Sequence, residues 1–378
     1  MRPELEALRR DAVADPTAVD RFVDGHSFPL IDDSTSTFVY RGEADSVRLR
    51  HWVYGLAATP AFTRLDGTDL WYVVLDVPRD SRIEYKIEVI RGDHVESIQD
   101  PLNPFTARDP FGANSVLQTD GYERPAWTLP DPEARSGTLV AHRSHSPALG
   151  RDVDLSLYLP ARFRPTSRYP LLIVHDGSDY LDYSSMQVVL DNLIHRLELA
   201  EILVAFSNPQ DRLVEYADHE PHARYITDEL VPWLETEFPL VATAGGRGLM
   251  GASFGAAASF AVARRHPEMF GRMLLQSGSF AFSDIGESER GPLFAPIEAM
   301  VNEFRADPEP FSERVFVSCG TFESLIYENR SLVPVLQSTG MEIRYVEARD
   351  GHNWENWRDR LRDGLSWLFP GPLWMVYE

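Results

Sequence analysis

From residue 138 to 368 the chain alternates short apolar runs with longer amphipathic ones, and that alternation restricts the fold more than any other feature. Runs at 171–175, 202–206, 248–250, 273–276, 315–318 and 342–347 read as strands. The stretches 186–199, 220–237, 254–266, 325–338 and 354–368 between them read as helices. Short buried strands joined by helices pair in parallel, with helices on both faces of the sheet. A hairpin with strands at 138–144 and 152–159 and a turn at 147–150 leads in. The stretch 277–312 fits no simple unit and is expected to be a cap or lid insertion.

The first third follows another grammar. Residues 82–90 place Ile83, Tyr85, Ile87 and Val89 opposite Glu84, Lys86 and Glu88, a period of two that marks a half-buried strand. Residues 46–52, with Val47, Leu49 and His51 or their alternates facing in, and the aromatic and β-branched run 70–77 read the same way. Gly67 and Gly92 fall at turns. We therefore expect an N-terminal helix and lead-in over 1–33, and an all-β, immunoglobulin-like sandwich over 34–128. A proline-marked linker over 129–137 and an α/β catalytic domain over 138–378 complete the division.

Charge and cysteine usage exclude several functions. The balance of 36 Lys+Arg against 58 Asp+Glu leaves −22, the wrong sign for binding a phosphate backbone, so no nucleic-acid partner is expected. No run approaches the ~20 apolar residues of a membrane span. The lone Cys319 excludes a disulfide framework and a multi-cysteine metal site, and neither metal nor cofactor is expected. Residues 1–15 carry mixed charge and no apolar block of ~7–15 residues, so they read as a short helix rather than a secretion signal, and a cytoplasmic protein is expected. Association into a homo-oligomer is left open.

The sharpest chemical signal is Gly251-Ala252-Ser253-Phe254-Gly255. It fits G-x-S-x-G between a strand-forming and a helix-forming stretch, the setting in which a serine hydroxyl is projected from a strained turn. The Phe254 N–H then opens a helix and can donate to a developing oxyanion. A glycine-rich turn with an incidental serine is the plainer alternative.

Such a serine needs a base. Of the 11 histidines only His266 and His352 follow Ser253. His266 is placed well along the elbow helix, roughly 20 Å away at about 1.5 Å per residue. His352 comes just after the last strand, where an α/β-hydrolase delivers its base. The chain order Ser–acid–His puts an orienting carboxylate between them. Glu323 follows a buried strand, Asp350 is the alternative, and a dyad without an acid remains open. The turn after 171–175 offers a second oxyanion donor at Gly177 or Ser178, unless it is a plain strand-ending turn. Earlier histidines are not excluded as the base by sequence alone, and His175 is the best of them, but it ends the strand expected to carry the oxyanion turn and is taken as a substrate-binding residue.

Several segments in order carry a resemblance: Val174-His175-Asp176-Gly177, Asp211-Arg212-Leu213-Val214-Glu215-Tyr216, Asp228-Glu229-Leu230-Val231-Pro232-Trp233, the serine elbow, Arg265-His266-Pro267-Glu268-Met269-Phe270-Gly271, Gln276-Ser277-Gly278-Ser279-Phe280 and Gly351-His352-Asn353-Trp354. Through them residues ~150–370 resemble the enterochelin esterase family, within the esterase-D-like α/β-hydrolases. The first third is similar to the early-set, carbohydrate-binding-like domain that precedes such esterases, notably at Gly67-Thr68-Asp69-Leu70-Trp71 and Asp100-Pro101-Leu102-Asn103-Pro104. The elbow departs from the family at Ala256, where a second glycine is common. The resemblance implies a metal-free carboxylic-ester hydrolase acting through an acyl-enzyme on a small-molecule ester, aromatic or catecholate. Arg212 and Arg330 are candidates to bind an anionic substrate, against the repulsion of a −22 chain. Trp354, three residues before Trp357, is a candidate wall of an acyl pocket, with packing of the final helix as the alternative. Two other readings are an acyltransferase like the mycolyltransferases of this fold, and a carbohydrate-binding protein with a vestigial hydrolase domain.

Overall fold

The computed structural model describes residues 2–283 and 291–372. Residues 284–290 of the expected lid insertion therefore lie outside the described residues; a helix, Ala295–Ala306, occupies part of the remainder. Two compact units emerge. One comprises Met1–Glu123 together with two short segments, Thr321–Glu323 and Arg349–Asn353. The other comprises Arg124–Gly320, Ser324–Ala348 and Trp354–Glu378.

The first unit opens with a helix, Pro3–Asp11, that buries Leu5 and Leu8. Pro3 suits a first helical turn, and Glu4 and Glu6 early with Arg9 and Arg10 late complement the helix dipole. The strands that follow are β1 (Leu30–Asp32), β2 (Thr35–Arg41), β3 (Ser46–His51), β4 (Thr63–Arg64), β5 (Leu70–Asp76), β6 (Arg82–Arg91), β7 (His94–Ile98), β8 (Thr106–Asp109) and β9 (Gly112–Gln118). They form two sheets, ordered β1-β2-β5-β4 and β3-β6-β9-β8, with β7 added to β6. Every pairing is antiparallel. Phe38 and Trp71 from one sheet and Leu49, Tyr85 and Ile87 from the other share one core. Along β3 the alternation predicted from sequence is observed, with Val47, Leu49 and His51 buried and Arg48 and Arg50 exposed.

The second unit is built on eight strands: β10 (Thr138–Ser146), β11 (Arg151–Leu159), β12 (Leu171–His175), β13 (Leu203–Ser207), β14 (Arg247–Ala252), β15 (Arg272–Gln276), β16 (Arg314–Gly320) and β17 (Glu342–Ala348). Their order is β10-β11-β13-β12-β14-β15-β16-β17. The leading hairpin β10–β11 and the β11–β13 pair are antiparallel. The rest are parallel. Strands β12 to β16 are buried on both faces, as helix-covered parallel strands are, and two cores lie on the two sides of this sheet. The helix expected over 220–237 is instead Glu220–Arg224, a π-helical turn Tyr225–Leu230 and Val231–Glu237. Pro232 has no N–H to give the regular ladder, and the wider turn precedes it. Among the described residues no helix is long and apolar enough to cross a membrane.

Parallel register carries the argument toward function. Ala252 at the end of β14 pairs with Gln276, Gln276 with Ser318, and Ser318 with Val346. Strands β14 to β17 thus finish along one sheet edge. There the chain continues into Ser253 after β14, Glu323 three residues past β16, and His352 four residues past β17.

Candidate active site

Ser253 joins β14 to the helix Phe254–Arg265 with φ 57° and ψ −121°. A side chain in that region costs on the order of 1–3 kcal/mol, so the surroundings must impose it. The Ser253 N–H donates to the Gln276 carbonyl at 2.9 Å, and the Ser279 N–H donates to the Ser253 carbonyl at 3.2 Å. The bend also needs Gly251, because a Cβ there would stand 2.3 Å from the backbone of Gly255. Ala256, Ala257 and Ala258 are buried in the next turn, where small side chains let the helix lie close to the sheet. The Phe254 N–H, first of the helix, has no intrahelical acceptor by geometry.

Ser279 was not singled out from sequence as a site residue, yet its Oγ lies 3.2 Å from Ser253 Oγ. Only its place in the Gln276–Phe280 segment hinted at it. Gln276 is pinned in turn: its side-chain oxygen accepts from Tyr180 Oη at 2.8 Å and its amide donates to the Trp357 carbonyl at 2.8 Å.

The turn after β12 passes through Asp176, at φ 55°, into a helix, Gly177–Tyr183. Gly177 is required here, because a Cβ would meet Phe206 Cβ at 2.4 Å. The Ser178 N–H, the other donor expected from sequence, donates to Asn208 Oδ1 at 2.9 Å. Burial raises the neighbouring Asp179 carboxyl to about 6, and the Asp176 carboxylate adds to the rise.

Four residues expected from sequence as substrate-binding candidates make contacts within the protein. Arg212 donates from Nε and Nη2 to the two oxygens of Asp176 at 2.8 and 2.7 Å, and from Nη2 to the Ala252 carbonyl at 3.3 Å. Burial opposes its charge, but the Asp176 carboxylate more than offsets that and raises its pKa. Arg212 therefore links the turn before Gly177 to the residue before Ser253. His175 is fully buried, with Nδ1 2.9 Å from Ser259 Oγ and Nε2 2.9 Å from His222 Nε2. Burial lowers its pKa to about 4, so the imidazole is neutral and part of the core. Trp354 packs in an aromatic cluster, 4.7 Å from Trp357, 5.2 Å from Tyr180 and 6.0 Å from Tyr183 between ring centroids. Arg330, the other cationic candidate, is paired with both oxygens of Glu347 at 2.6 Å.

In the first unit, Glu323 and His352 meet. His352 Nδ1 lies 2.5 Å from Glu323 Oε2, with the Glu323 side chain 2% exposed and the imidazole 36% exposed. Asp350 turns elsewhere. It accepts from Arg82 Nη1 at 3.2 Å, Asn353 Nδ2 at 2.8 Å and the Gly351 N–H at 2.7 Å. Of the two acids left open by sequence, Glu323 is the one beside the imidazole.

A family model described as "Putative esterase" matches residues 146–368. The chain belongs to this esterase family. It is a carboxylic-ester hydrolase, similar to enterobactin esterases over most of its length. The iron(III) enterobactin esterase of Escherichia coli K12 is 23% identical over 348 residues, covering 84% of this chain and 85% of the relative. The crystal structure of the enterobactin esterase FES from Shigella flexneri aligns with a TM-score of 0.73 at 21% identity, over 92% of this chain and 95% of that one, which shows a shared fold. A shorter relative, the uncharacterized protein YjcH of Bacillus subtilis, is 29% identical over 150 residues; the match covers 38% of this chain and 62% of that protein.

Proposed function

We propose that this esterase works through an acyl-enzyme on Ser253, with His352 as general base and Glu323 as the carboxylate that orients it. Two observations support the reading: a strained serine elbow in the second unit and a Glu–His couple in the first, with each of the three residues following in sequence a parallel strand of the same sheet. With Nδ1–H donated to Glu323, the lone pair of the neutral imidazole is on Nε2. That nitrogen takes the Ser253 proton as Oγ attacks the ester carbonyl, and returns it to the departing alkoxide. Water then adds to the acyl-enzyme with His352 again as base, releasing the acid and restoring Ser253. The Phe254 N–H and the N–H of Gly177 are the assigned oxyanion donors, each worth on the order of 3 kcal/mol in the transition state.

The substrate is assigned as a small-molecule ester with an aromatic acyl group, of which a catecholate is one case. The names of the enterobactin-esterase relatives support this class. The two antiparallel sheets of the first unit are assigned as the early-set, immunoglobulin-like domain that accompanies such esterases. The test is a panel of aryl, feruloyl, acetyl-sugar and catecholate-lactone esters, run with wild type and Ser253→Ala. Turnover of aryl-acyl esters by wild type, abolished in the variant at unchanged circular dichroism, is expected. Turnover retained by Ser253→Ala overturns the nucleophile assignment, and a preference for acetyl-sugar esters overturns the substrate class.

A further inference from the structure

His352 presents a problem of support. Its imidazole is 36% exposed and sits on a segment of irregular backbone, so its direction depends on how firmly that backbone is held. That backbone is tied down. The Phe322 N–H donates to the Asp350 carbonyl at 3.1 Å, and the Arg82 N–H donates to the Arg349 carbonyl at 2.9 Å. Arg349 in turn donates from Nη1 to the Arg79 carbonyl at 2.6 Å.

At the centre of this support is Arg82, the first residue of β6. Its side chain is 0% exposed. Nη1 donates to Asp350 Oδ1 at 3.2 Å and to Asn353 Oδ1 at 2.9 Å, the residues two before and one after His352. Nη2 donates to Glu84 Oε1 at 2.9 Å. The other Glu84 oxygen accepts from Asn114 Nδ2 at 2.8 Å, and Asn114 also donates to Asp109 at 3.1 Å. Asn353 Nδ2 closes the ring on Asp350 at 2.8 Å. One guanidinium therefore grips both flanks of the imidazole-bearing residue and fastens them to a strand 268 residues away in sequence.

We propose that Arg82 is a positioning residue for the reaction: through Asp350 and Asn353 it holds the backbone of His352 in the orientation that general-base catalysis needs. The inference rests on the assignment of His352 as base. It gives the β-domain a part in the chemistry that neither substrate binding nor subunit contact describes. An arginine is needed because its planar fork reaches acceptors on two sides at once, which the point charge of lysine does not. Burial raises the Asp350 carboxyl to about 6 even with Arg82 beside it, so this anchor weakens as its carboxylate is protonated in mild acid.

Arg82→Met, Arg82→Lys and Asn353→Ala, with His352→Ala as reference, test this on a soluble aryl ester. A displacement of the base by about 1 Å costs on the order of 10²-fold in rate. Arg82→Met is therefore expected to lose that much in kcat with KM within threefold, and Arg82→Lys to recover only part of it. The pH profile of kcat/KM is expected to move on its acid limb, and phosphonate labelling of Ser253 to slow in parallel with kcat. A merely structural role would lower the melting temperature and leave the pH profile in place. A folded Arg82→Met with kcat and pH profile like wild type overturns the proposal. If Arg82→Met does not fold, Asn353→Ala decides: a kcat loss beyond tenfold upholds the proposal and full activity overturns it. Full activity in His352→Ala overturns the assignment of the base, and the inference with it; loss there with full activity in both Arg82→Met and Asn353→Ala overturns the inference alone.

Discussion

Replacing Arg212 with methionine separates a clamp from a substrate-binding cation. The Asp176 carboxylate is 3% exposed on its side chain, and both its oxygens are taken by Arg212. Methionine leaves the buried charge without its partner. Breaking a buried pair in this way costs about 3–5 kcal/mol, and because the Arg212 side chain is 35% exposed, solvent screens its end and the lower figure applies. We expect a loss of about 3 kcal/mol in urea unfolding followed by tryptophan fluorescence. The double variant Arg212→Met/Asp176→Asn should recover part of it, with a coupling of about 2 kcal/mol. Activity should fall as well. Asp176 precedes Gly177, whose N–H is the assigned second oxyanion donor, and loss of one such donor lowers kcat about 10²–10³-fold. KM should change little. The contrary result, stability within about 1 kcal/mol of wild type together with a tenfold rise in KM at constant kcat, is the behaviour of a residue that touches substrate, and it refutes the clamp.

Glu323→Gln should lower kcat on the order of 10³-fold at constant KM, because an amide can donate to Nδ1 and favour the wrong imidazole tautomer; a loss under tenfold removes Glu323 from the triad. Ser253→Gly should unfold about 1 kcal/mol later than Ser253→Ala, since glycine relieves the strain at φ 57° less its own entropy cost; equal stabilities contradict imposed strain at the elbow. His175 keeps its pKa near 4 against an ordinary 6.5, so the unfolded chain binds a proton in that interval that the native chain does not. Stability should be full above pH 6.5 and fall by about 3 kcal/mol for this residue as pH drops toward 4, with the buried His222 acting in the same direction. His175→Gln should lose less over that interval in urea melts at pH 7.5 and 5, and equal losses refute the assignment.

Local pattern made much of this legible. The elbow was readable because G-x-S-x-G needs only neighbours, and the Glu323–His352 couple because each residue follows the end of a readable strand. The strands with period two were readable because one face meets a core. The same period does not disclose the burial of Arg82. Alternation with Ile83 and Tyr85 puts Arg82 and Glu84 on the outer face of β6, and they are there, but Arg82 is fully buried and Glu84 9% exposed. A face covered by a loop from the distant C-terminal part takes polar residues just as a solvated face does, and spacing within a strand does not separate the two. The partners of Arg212, Arg330 and Trp354 were illegible for the same reason. A cation or a ring in a sequence carries no mark of its partner, and Asp176 lies 36 residues before Arg212.

Charge composition bears on which esters this site can prefer. Every cationic side chain but Lys86 is an arginine, and acids outnumber them, 58 to 36. With that surplus, three arginines considered above are each found with a carboxylate: Arg212 with Asp176, Arg330 with Glu347, Arg82 with Glu84 and Asp350. An anionic substrate has to displace one of these acids or stand beside an already neutralised pair, and it meets the repulsion of the whole chain on approach. A neutral aromatic ester meets neither cost. Arg212 and Arg82 are engaged in holding turns and loops, and on the proposed mechanism the electrostatic work of the reaction falls to backbone N–H groups and one imidazole.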